Sequence, residues 1–70
     1  MNHITEFATE IADLRARIKT MPQVATMRRD ERAEFLEQVY FTMRDIMMVF
    51  MKGEKEVAKG MLDELRWVLT

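Results

Sequence analysis

Seventy residues make one domain, and a chain of that length buries only about 60% of its unfolded surface, so its core has little to spare. Eleven basic against twelve acidic residues exclude the clearly basic composition of a dedicated nucleic-acid binder, and the absence of cysteine excludes disulfides and thiolate metal sites. With 49% hydrophobic and 33% charged residues, two glycines and one proline, the composition is that of an ordered helical protein.

The chain opens Met-Asn-His-Ile-Thr-Glu. It lacks the basic region and apolar run of a secretory signal, and together with the missing cysteines this leads to an expected cytoplasmic location. The first predicted helix covers about 4–20. Ile4, Phe7, Ile11, Leu14, Ile18 and Met21 alternate three and four apart, a seam that suits bundles and short coiled coils. Asn2 or Thr5 is the expected cap. Glu6, Glu10 and Asp13 come early and Arg15, Arg17 and Lys19 late, the order that suits the helix dipole.

Pro22 pushes Met21 away from helical angles and ends that helix. Thr20 with Gln23 is expected to cap a single turn over 21–26, in a connector or short helix that tucks Val24 and Met27 against the core.

The second predicted helix, about 29–51, is the central one. Ala33, Leu36, Tyr40, Met43, Met47 and Phe50 form one apolar stripe, and Phe35, Val39, Thr42, Ile46 and Val49 repeat it one position earlier. A rim helix needs only about 100° of apolar arc. Phe41, Met48 and Met51 widen it further, on flanks expected to face water. The uninterrupted apolar run, 46–51, is far shorter than the roughly 20 residues of a membrane span, so no membrane segment is expected.

Gly53 sits in a polar Lys-Gly-Glu-Lys cluster and favours a tight hairpin, with one continuous helix over 29–69 as the competing reading. The third predicted helix, about 54–69, has Ala58, Met61, Leu65 and Val68 as its seam and Val57, Leu62 and Leu69 as flanks. Trp67 lies off that seam, one heptad after Gly60. It is suited to packing on the first helix or on a second subunit, or to anchoring a foreign partner.

The means for covalent catalysis are missing. The chain has neither serine nor cysteine, and its single histidine, His3, stands near one end, so no nucleophile, base and orienting group can be assembled. Two glycines seven apart make no phosphate-cradling loop. No enzyme activity and no cofactor are expected. His3, Glu6 and Glu10 share a helix face, but they flank the apolar seam instead of entering a core, so no metal site is expected either.

Arg15, Arg17, Lys19, Arg28, Arg29 and Arg32 gather around the first connection. Six basic residues against Asp30 and Glu31 give the interval 15–32 a charge of +4, suited to phosphates or an acidic partner. No aromatic residue lies among them to stack on bases. Of the eight methionines most fall on helix seams, where core filling is the default, whereas Met48 and Met51 extend the apolar arc beyond one core face.

The expectation is therefore an all-α protein, a small three-helix bundle with its second helix central. It is expected to act as a non-enzymatic regulator or adaptor through helix-mediated protein contacts, as a homodimer. Phe41, Met48, Met51 and Trp67 are its expected interface. Small accessory proteins of phages and mobile elements share this build. A weak nucleic-acid-binding regulator using residues 15–32 is the alternative.

Overall fold

The computed structural model describes residues 3–69, all of whose regular structure is helical. There are four helices: α1 (His3–Ile18), α2 (Pro22–Ala25), α3 (Arg29–Met51) and α4 (Lys55–Leu69). The three long helices match the expected spans to within two residues, and the connector supplies the fourth. No helix is long and apolar enough to cross a membrane among the described residues.

The ends follow from local chemistry. Asn2 lies outside the described residues, and Thr5 falls inside the first turn of α1, too late to be its cap. Met21 takes φ −65° and ψ 135° ahead of Pro22, which then occupies the first turn of α2, where its missing N–H costs nothing. The expected pairing of Thr20 with Gln23 does not form. Met21, which has no capping oxygen, holds the cap position, while the Thr20 hydroxyl donates back to Arg17 O at 3.0 Å. The Gln23 amide instead donates to Leu69 O at 2.6 Å and ties α2 to the last turn of α4.

The turn between α3 and α4 is a Schellman motif. Gly53 N–H donates to Phe50 O at 3.0 Å and Glu54 N–H to Val49 O at 3.3 Å, with Gly53 at φ 97°. A left-handed residue at this point rules out one continuous helix over 29–69.

The core is shared by all four helices. Phe7, Leu14 and Ile18 enter from α1, Val24 from α2, Val39, Met43, Ile46 and Phe50 from α3, and Ala58, Leu62 and Leu69 from α4. On α3 the buried line takes members of both predicted stripes, because the helix has α1 and α4 as neighbours and its innermost line bisects the two. Ala33 and Thr42, placed on those stripes by spacing, are exposed. Ile4, the first seam residue of α1, is also largely exposed.

The α4 seam is corrected in the same way. Val68 is 72% exposed and the expected flank Leu62 only 1%. The buried line Ala58, Leu62, Leu69 is rotated by about half of the 100° step between neighbouring residues. α4 touches α1 as well as α3, so its inner line points between them.

Candidate protein interface

With Val39, Met43, Ile46 and Phe50 turned inward, helical periodicity carries Phe41 and Met48, seven residues apart, to the opposite side of α3. Met51 follows one turn later. These three side chains are 53%, 47% and 63% exposed. They form an apolar line on the outside of the longest helix, where the sequence places them. Arg44, one turn from Phe41, holds its guanidinium carbon 5.8 Å from the ring centre, a cation–π contact open to water.

Trp67 is 80% exposed, so its ring is not buried against α1. It stands near the end of α4, twelve residues or about 18 Å along the helix from Lys55, and therefore far from Met51. The four expected interface residues thus fall on an α3 line and, separately, at the end of α4. Val57 and Val68 are exposed apolar residues that spacing had assigned to the seam and its flank. Their signal was present in the sequence, since they share a stripe with Met61, but the rotation of α4 decides which stripe stays wet.

The basic residues fall into two groups. Arg15, near the end of α1, and Lys19, just past it, border the same hollow, whereas Arg17 does not. Arg15 lies over the Tyr40 ring, with the guanidinium carbon 4.3 Å from its centre. At the start of α3, Arg28 pairs with Glu31 at 3.8 Å, Arg29 is exposed and Arg32 is half-buried. The pair is open to water and worth less than about 1 kcal/mol.

His3 and Glu6 approach to 3.7 Å, both exposed. Together with Glu10 they line a cleft whose other wall carries Lys55 and Lys59, and those ammonium groups oppose a cation there. Among the described residues no three metal-ligating side chains are placed to hold a metal ion.

The Tyr40 hydroxyl is the one buried side-chain polar atom left without a hydrogen bond among the described residues. A buried hydroxyl that lacks any partner costs on the order of 1–3 kcal/mol. It lies where α1 meets α3, beneath Arg15.

Comparison with family models, with curated proteins and with solved structures finds no match.

Proposed function

We propose that this chain is a small, non-enzymatic, cytoplasmic regulator or adaptor, a three-helix bundle that acts through helix-mediated protein contacts as a homodimer. The observation that carries the reading is the exposed line of Phe41, Met48 and Met51 on α3. Complete burial of such a side chain is worth about 1.5–3 kcal/mol, and roughly half of each is still in water. A two-fold axis through this line buries each residue twice. Association itself costs about 4–15 kcal/mol, a sum of comparable size, so the dimer is expected to be concentration-dependent.

Trp67 offers a second contact, remote from the first, of the kind that anchors a different protein. The basic residues of 15–32 support nucleic-acid contacts less well, because they belong to a nearly neutral chain and no aromatic residue lies among them to stack on bases. Sedimentation velocity tests the dimer. The wild type should shift from monomer to dimer across the micromolar range, and a Phe41→Glu, Met48→Lys variant should remain a monomer. A wild type that stays monomeric throughout would remove the homodimer from the proposal.

A further inference from the structure

We propose that the groove between α1 and α3 is a docking site for an acidic amphipathic helix of another protein. This deepens the adaptor reading and rests on it, but it uses a surface beside the Phe41, Met48 and Met51 line.

Two adjoining hollows of about 330 and 260 Å³ lie along the junction, lined by α1, the Lys19 that follows it, and α3. They share Ile11, Arg15 and Met47, so they form one furrow. Its α1 wall extends from Ala8 to Ala16, about 12 Å or two helical turns, with Lys19 just beyond the helix end. Ala8, Ala12 and Ala16 recur four apart along that wall and are exposed. Methyl groups at this spacing let a further helix approach to the 8–10 Å axis separation of ordinary helix packing. The half-buried Ile11 and Met47 give the furrow an apolar floor, which suits the buried face of a docked helix.

Charge selects among helices. Arg15 and Lys19 stand on one wall and Arg44 on the other, and no acidic residue lines either hollow. Three cations bordering one furrow of a nearly neutral chain match an occupant with carboxylates on both flanks of its apolar stripe. Tyr40 supplies an independent pointer. Its hydroxyl is buried without a partner beside the furrow, and Arg15 covers its ring. A carboxylate of the docked helix would draw Arg15 off the ring and accept a hydrogen bond from that hydroxyl. A phosphate backbone would gain nothing from the Ile11 and Met47 floor, whereas a helix uses floor and rim together.

The probe is a stapled helical peptide of about 16 residues, long enough to hold its shape, with leucines three and four apart and glutamates on both flanks. A control peptide carries lysines on the flanks. By fluorescence anisotropy the glutamate peptide should bind the full chain with micromolar affinity, and the lysine peptide at least about tenfold more weakly. Arg15→Glu with Lys19→Glu, both away from the Phe41, Met48 and Met51 line, should cost about tenfold or more. Ala12→Phe, at an exposed position that leaves the core intact, should block the seat altogether. Both variants should keep the wild-type helical signal and sedimentation.

Equal binding of the two peptides overturns the proposal, as does undiminished binding to Ala12→Phe. A variant that sediments differently from the wild type also overturns it, because the furrow is then the contact between copies. That outcome has a physical basis, since the exposed Val57 and Val68 of α4 share their side of that helix with Glu64. A wild type that stays monomeric yet discriminates between the peptides leaves the docking site standing and removes only the homodimer.

Discussion

The rings of Phe7 and Phe50 lie 4.2 Å apart with 8° between their planes, and both are buried. This stack fastens the start of α1 to the end of α3, at the end of the molecule where the Gly53 turn lies. Removing one ring opens a cavity as well as losing the stack, a change of about 3–5 kcal/mol. A chain this small has only about 3–5 kcal/mol to lose. Phe7→Ala is therefore expected to be largely unfolded by circular dichroism at 25 °C. Phe7→Leu, which keeps most of the volume, should fold with a lowered melting temperature.

The two glycines should respond to alanine with opposite signs. An added Cβ at either would meet no atom within 4 Å beyond its adjoining backbone, so contacts with packed neighbours play no part. Gly53 has φ 97°, a backbone region that costs a side-chain-bearing residue about 1–2 kcal/mol. Gly60 lies inside α4, where alanine is better by about 0.5–1 kcal/mol. Thermal melts should show Gly53→Ala falling and Gly60→Ala rising. Similar shifts for both would mean that the hairpin turn is not held in the left-handed conformation.

Tyr40→Phe removes the orphaned hydroxyl and leaves the ring beneath Arg15 in place. The expected result is a gain of up to about 1 kcal/mol, or no change, in urea unfolding. A loss greater than about 1 kcal/mol would reveal a hydrogen bond made by this hydroxyl in solution.

Any binding to duplex DNA should be weak and strongly salt-dependent. A protein that neutralises about four phosphates, as the local charge of 15–32 allows, loses affinity with a log–log salt slope near −3.6. Anisotropy titrations at two salt concentrations measure it. Tight binding that survives high salt would put the basic residues ahead of the apolar line as the functional surface.

Breaks in the chain were the most legible part of the sequence. Pro22 and Gly53 impose backbone angles by themselves, so the helix limits around them could be read locally. Facing was less legible. Periodicity gives the width of an apolar arc, but its centre depends on where the neighbouring helices lie. Val39 and Ile46 therefore prove central to α3, and Val68 proves wet although it kept the helical rhythm. Phe41 and Met48 could be placed because they lie opposite the buried line, and Met51 because it extends the apolar arc past its edge. Gln23 could not, because its partner is a backbone carbonyl of Leu69, 46 residues away.

That last contact bears on the order in which the molecule assembles. α3 and α4 meet across a three-residue turn and make the most extensive pairing, so their encounter closes a short loop and is fast. α1 adds to a hairpin that already exists, and the bond from Gln23 to Leu69 closes only when both connections have found their places. Amide exchange should reflect this sequence, with slow protons in the hairpin and faster ones towards the start of α1. The end of α4 is thus held by a side chain from the opposite part of the sequence, which makes that hydrogen bond a reporter of whether the whole chain, and not only its hairpin, has folded.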